Sequence, residues 1–318
     1  MISFDKLKIG IILPNVGSQA TKENIVHMAQ MAEAEGFDSL WVFERLLWPI
    51  KPQTPYPVTQ DGSLPEEYQT TLDPLETLTF TAAHTSKISL GTSVVDMLFH
   101  NPVVLARRFA SLDLFSEGRA IAGFGLGWSK DEYQAANIPF SNKGKRADEY
   151  LKALKRIWAE EVVEFKGQYY NIPQSKIGPK PVQKPHMPIY LGGFIPNTLR
   201  RIVENDLDGW LGGIGGMAPF SHVESCVNIL KDEINRTNKN IADFKVSLIA
   251  TTDVNYSKSY NNMNRPTLAG TMEQIGEDIR KIKDLDVNEI IFLYNFSPIG
   301  KDIDKMIDLT KQFSKFAR

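Results

Sequence analysis

The 318-residue chain carries one cysteine, Cys226, so no internal disulfide can staple the fold. Its place in a helical repeat points to a buried structural thiol rather than a nucleophile. Histidine is scarce too. None of the five (His27, His84, His100, His186 and His222) stands in an H-x-H or H-E-x-x-H spacing, which argues against a metal hydrolase, and no metal site is expected. A net charge of only -2 offers nucleic acid no electrostatic footprint. No apolar run approaches the roughly 18 residues that a spanning helix needs, and MISFDKLKIG lacks the apolar core of a secretion signal. These absences predict a cytoplasmic protein whose partner is a small molecule, with neither nucleic acid nor membrane involved. No low-complexity segment or shift of composition marks a linker, so one domain over 1–318 is expected.

What is present is an alternation of short strands with amphipathic helices. Lys8 to Leu13, Ser39 to Phe43, Ile88 to Val95, Ala120 to Phe124, Ile189 to Leu191, Gly209 to Leu211, Lys245 to Thr251 and Glu289 to Tyr294 read as strands. A helical repeat follows each, from Ile25, Met28 and Ala32 behind a Thr21 cap to Ile303, Met306, Phe313 and Phe316 at the end. Asn101-Pro102 reads as an N-cap with proline at the first helical position, ahead of Leu105, Phe109 and Leu112 on one face. Glu44 to Thr71 carries Pro49, Pro52, Pro55, Pro57 and Pro65, which forbids a regular helix or strand there. The residues after Trp128 read as a short polar segment, and Val162 to Tyr170 as a hairpin turning at Lys166-Gly167. Eight strand–helix units predict an α/β fold, a (β/α)₈ TIM barrel with insertions after the second, fourth and seventh strands. An open doubly wound sheet is the rival, and the eightfold alternation fits closure better.

In such a barrel the functional groups stand where the strands end. Those positions hold Asn15, Glu44-Arg45, Ser93-Val94, Gly125 to Trp128, Gly192-Gly193-Phe194, Gly212-Gly213, Thr252 and Asn295. They include no lysine for a Schiff base and few acids or bases, while the glycines leave room for a broad planar group. Such a site borrows its chemistry from a cofactor. Gly123, Gly125 and Gly127 lack the second half of a dinucleotide fingerprint. Gly192-Gly193, ahead of a helix starting near Asn197, is either a phosphate seat or a plain tight turn. Glu44-Arg45 is either a surface ion pair or a hydrogen-bonding pair at the rim of the cofactor ring, and it is the candidate catalytic pair. Trp48 and Trp128 are either walls of this site or core residues.

Several stretches resemble the bacterial luciferase-like superfamily of flavin and deazaflavin oxidoreductases, over nearly the whole chain. They are I-x-L-G-T-S-V at the third strand, H-N-P-V-V-L-A-R-R at the third helix, and S-E-G-R-x-x-x-G-x-G-x-G-W at the fourth strand. R-A-D-E-Y, P-K-P-V-Q-x-P-x-x-P-I-Y-L-G-G and D-G-W continue the match. E-R-L-L-W-P, T-P-Y-P and D-G-S-L-P-E-E-Y look most like the branch dependent on coenzyme F-420. The resemblance implies coenzyme F-420 or FMN as cofactor, a homodimer, and a non-proline cis peptide at Ser93-Val94 against the ring. It places Asn15, Glu44, Ser93, Val94, Gly125, Leu126, Gly127, Gly192, Gly193 and Phe194 around the cofactor. In the sugar-phosphate dehydrogenase branch an acidic residue and a histidine fill the places of Glu44-Arg45, and a catalytic glutamate the place of Trp128. That branch's acid chemistry therefore does not transfer. Hydride transfer to or from a small organic substrate, or its monooxygenation, is the expected activity; a non-catalytic flavin-binding protein is the alternative.

Overall fold

The computed structural model describes residues 7–59, 61–237, 244–254 and 265–316. Its central strands are β1 Lys8–Ile12, β2 Ser39–Val42, β3 Ser89–Thr92, β4 Ala120–Gly125, β5 Ile189–Gly192, β6 Gly209–Ile214, β7 Lys245–Thr251 and β8 Glu289–Leu293. Each pairs in parallel with the next, and β8 returns to β1 with Ile290 opposite Ile9. The expected eight-stranded parallel barrel is therefore closed, and the open sheet is excluded.

The helices of the described residues are α1 Lys22–Ala34, α2 Pro74–Ala82, α3 Pro102–Phe115, α4 Lys130–Ala135, α5 Lys143–Ala159, α6 Pro196–Glu204, α7 Phe220–Arg236, α8 Met272–Lys283 and α9 Ile303–Phe313. Their starts follow the sequence signals. Asn101 Oδ1 accepts the Val103 N–H at 2.9 Å and the Val104 N–H at 3.3 Å, with Pro102 at the first position of α3. Asn101→Ala orphans these donors at a surface helix end and is expected to cost about 1 kcal/mol, read as a shifted urea midpoint with an unchanged slope.

Parallel strands bury both faces, and the two cores follow from strand alternation. Ile9, Ile11, Leu40 and Leu90 pack outward under the helices, while Ile12, Trp41, Tyr190, Leu211, Ile249 and Ile291 fill the ring. The N-terminal end of the ring is polar. Ser39 bonds Glu289, Trp41 Nε1 donates to Ser39 Oγ at 2.7 Å, and Ser247 Oγ donates to Glu289 at 2.8 Å. Cys226 is buried on α7.

Four sequence expectations need correction. The third strand does not run unbroken from Ile88 to Val95. It stops at Thr92, whose hydroxyl donates to the Gly123 carbonyl at 2.7 Å and accepts the Gly123 N–H at 3.0 Å where the backbone ladder would continue. Ser93-Val94 is a non-proline cis peptide, as the resemblance implied, and Val95–Asp96 then pairs separately with Phe124 and Gly125. The hairpin's second arm is Asn171–Ser175, beyond Tyr170, because Glu149 takes the N–H groups of Gln168, Tyr169 and Tyr170 at 2.9, 2.8 and 2.7 Å. The sixth strand is six residues long rather than three. The polar segment after Trp128 contains α4, unforeseen from the sequence. Most of the polar loop expected after the seventh strand lies outside the described residues.

Candidate active site

At the C-terminal ends of the strands a cavity of about 580 Å³ opens, within the usual range for small-molecule sites. Glu44, Arg45, Ser93, Val94, Gly125, Leu126, Gly127, Gly192, Gly193 and Phe194 all line it, so the structure brings these residues together from β2, β3, β4 and β5. Asn15 is not among its lining residues. It is fully buried, with its amide donating to the Phe43 carbonyl at 2.8 Å and the Leu72 carbonyl at 3.2 Å and accepting the Phe43 N–H at 3.1 Å. It braces the strand ends, with both N–H donors of its amide taken by backbone carbonyls, so the structure shows it in a scaffold role where the expectation has it beside the cofactor.

The glycines form a shelf because their neighbours leave no space for side chains. A Cβ on Gly125 would strike Asp96 Oδ1 and come within 2.5 Å of Val94 Cγ2. Gly193 adopts φ +145° and would bring a Cβ to 2.8 Å from Thr198 Oγ1. Beside the shelf stand the starts of α5 and α6, neither with a side-chain cap, and Lys143, Gly144, Asn197 and Thr198 border the cavity there. Uncapped helix starts offer N–H groups and the positive dipole end to an anion, which suits a phosphate.

Glu44 and Arg45 do not act as a surface ion pair, and each has another partner. Glu44 Oε1 lies 2.7 Å from His100 Nε2, and Glu44 Oε2 accepts the Asp96 N–H at 2.6 Å. Arg45 donates through Nε to Glu132 Oε1 at 2.7 Å and through its terminal nitrogen to Glu132 Oε2; the two side chains are 5% and 1% exposed. Burial works against the Arg45 cation, but the Glu132 charge and hydrogen bonds outweigh it and raise its pKa. The guanidinium lies 5.5 Å from the Tyr68 ring centre and 5.2 Å from that of Trp128, a cation held against two aromatic faces. Trp128 is thus a wall of the cavity, also packed on Tyr56 at 5.3 Å, whereas Trp48 packs with the cluster that fills the ring. Burial raises the pKa of Tyr56 and, more strongly, of Tyr68, so both hydroxyls keep their protons.

A profile described as luciferase-like monooxygenase matches residues 7–259. The chain belongs to that family. Among curated relatives of this luciferase-like protein, an uncharacterized protein of Mycobacterium tuberculosis is 36% identical over 184 residues, covering 58% of this chain and 65% of the relative. The F420-dependent glucose-6-phosphate dehydrogenase of Kineococcus radiotolerans is 32% identical over 180 residues, 55% of this chain and 48% of that protein. The chain thus spans less than two thirds of these relatives' lengths. A solved F420-dependent secondary alcohol dehydrogenase, in complex with an F420-acetone adduct, superposes with a TM-score of 0.77 at 18% identity, covering 99% and 100% of the two chains. At that identity the likeness speaks of the fold.

The luciferase-like site has features that fit a large planar cofactor with an anionic tail. The shelf is flat where a Cβ would fill it, the walls are aromatic, and uncapped helix starts lie at one end. Ser93 Oγ, on a residue only 4% exposed, has no hydrogen-bond partner. Ser93 lines the cavity, and a buried hydroxyl without a partner there leaves hydrogen-bonding capacity unused.

Sequence reasoning missed Asp96, His100, Glu132, Tyr56 and Tyr68. For Glu132 a signal was present: Ser129-x-x-Glu132 is a helix-start signature, and Ser129 Oγ does accept the Glu132 N–H at 3.4 Å. Tyr56, Tyr68 and His100 stand in the quoted stretches T-P-Y-P, D-G-S-L-P-E-E-Y and H-N-P-V-V-L-A-R-R, but nothing in those stretches gives them a role, and Asp96 stands in none.

Proposed function

We propose that this luciferase-like protein is an oxidoreductase that binds coenzyme F-420 or FMN on the glycine shelf. It acts by hydride transfer to or from, or monooxygenation of, a small organic substrate enclosed by the Glu44 to Thr71 loop. The observation that carries the reading is the cavity itself: a shelf at Gly125 and Gly192-Gly193 with the unpartnered Ser93 hydroxyl and the starts of α5 and α6 beside it.

In this reading Ser93, Val94, Gly125, Leu126 and Gly127 support the ring. Gly192, Gly193 and Phe194, with the α6 start, hold the ring edge and the phosphate. When bound, the cofactor supplies the hydride donor or acceptor. Tyr56, Tyr68 and Trp128 exclude water and give the substrate an apolar, aromatic enclosure, while Arg45, neutralised by Glu132, shapes that wall. Glu44 orients the Asp96 segment through its backbone N–H. The buried Arg45 cation at this wall already has its counterion, so it calls for no anionic substrate group there. The homodimer belongs to the same reading, and light scattering checks it.

Equilibrium titration of the purified protein with FMN and with F-420, followed by fluorescence, tests the proposal. Saturable binding of the deazaflavin, tighter than that of FMN, is expected. Binding of neither overturns the reading, and tight FMN binding with no deazaflavin response reverses the order of cofactors.

A further inference from the structure

Asp96 is an acid that the fold places against the cofactor shelf, where one of its carboxyl oxygens braces the Gly127 backbone. It pairs with Gly125 through the short Val95–Asp96 strand, and its Oδ1 accepts the Gly127 N–H at 2.9 Å. A second side-chain hydrogen bond does not reach it among the described residues, and it keeps surface toward the cavity. Ser93, three residues earlier, lines the same cavity, and its buried hydroxyl has no partner.

We propose that Asp96 is the residue that gives and takes the proton accompanying hydride transfer at this site; the inference rests on the cofactor reading above. The step balances. With a reduced flavin or deazaflavin as hydride source, hydride reaches the electrophilic carbon of a C=O or C=N substrate, and the π pair moves to the heteroatom. The Asp96 O–H bond breaks as its proton passes to that heteroatom, and the resulting carboxylate regains a proton from water. In the oxidative direction the carboxylate takes the heteroatom's proton, the pair left on the heteroatom becomes the π pair, and hydride passes from the carbon to the oxidised flavin or deazaflavin.

The surroundings suit this role. Burial, then the Glu44 carboxylate, push the Asp96 carboxyl up to about 7, with Glu132 adding to them. Arg45 and the Gly127 N–H pull the other way, and Lys143 and the Tyr133 phenol also feel its charge. His100 reaches the cluster through Glu44. An acid poised near neutrality serves both directions of transfer.

A ring seated on the shelf displaces cavity water from Asp96 and raises its proton affinity further. Binding then takes up a proton, so cofactor affinity is highest below about pH 7 and falls as pH rises through the bound-state value. A one-unit lift corresponds to about a tenfold fall across the titration. The phosphate of FMN itself titrates near 6, so the comparison between wild type and Asp96→Asn is the readout. Asparagine keeps an acceptor for the Gly127 N–H.

The experiment measures FMN and F-420 affinity from pH 5 to 9 for both proteins, with infrared titration of the ligand-free wild type. Expected are an excess pH dependence of about tenfold in wild type alone, and a protonated-carboxyl band that disappears near pH 7 and is missing from Asp96→Asn. Identical pH profiles for the two proteins overturn the inference, and so does the absence of a titrating carboxyl band, a result that needs no folded variant. Failure of wild type to bind either cofactor sinks the cofactor reading instead, a result the infrared titration does not share.

Discussion

Replacing Glu132 by alanine is expected to destabilise the protein by about 3–5 kcal/mol, seen as a fall in melting temperature of the order of 5–10 °C. The substitution strands the Arg45 guanidinium, whose side chain is 5% exposed, between two aromatic rings without its counterion. It also removes the acceptor that holds the Leu46 N–H at 2.9 Å and the Leu47 N–H at 3.4 Å, so the start of the proline-rich loop loses its tie to α4. Breaking one side of a buried pair is worse than removing both, because the surviving charge stays desolvated. The double variant Arg45→Met with Glu132→Leu is therefore expected to recover most of the loss. Calorimetry on the three proteins checks this. A single-variant loss below about 1 kcal/mol would mean that the pair is solvated like a surface bridge.

Gly125→Val is expected to weaken cofactor binding by about a hundredfold, some 2.7 kcal/mol, while leaving a folded barrel. The added branch runs into Asp96 Oδ1 and Val94, and both border the cavity, so either the shelf rises into the ring's place or its edge moves away. Overpacking of this kind costs about 1–3 kcal/mol of stability, which a domain with so extensive a core withstands. Fluorescence titration supplies the affinity, and far-UV circular dichroism shows that the fold persists. Unchanged affinity in a folded variant would place the ring elsewhere than on this shelf.

The residues divide into those whose roles were legible locally and those whose roles were not. Gly125, Gly127, Gly192 and Gly193 could be assigned to the site because small residues at strand ends have a fixed meaning once the barrel is inferred. Glu44 and Arg45 border the cavity, but adjacency in the sequence gives them to each other, whereas the structure gives them to His100 and Glu132. Asn15 stood at a strand end like the others, and only its bonds to Phe43 and Leu72 show that it braces the scaffold. The groove of about 620 Å³ between α2 and α3, lined by Phe80, Val104 and Arg108, left no trace in periodicity either.

By itself the sequence determined the barrel: the strand and helix repeats, the caps at Thr21 and Asn101, and the glycine-lined strand ends are short-range patterns, set by sterics and by which face must be buried. Tertiary structure alone decided the electrostatics of the site. Arg45 and Glu132 are 87 positions apart, Glu44 and His100 are 56 apart, and Asp96 owes its raised proton affinity to burial and to Glu44. Charge pairing and desolvation depend on distance in space, which ring closure sets and no window along the chain contains.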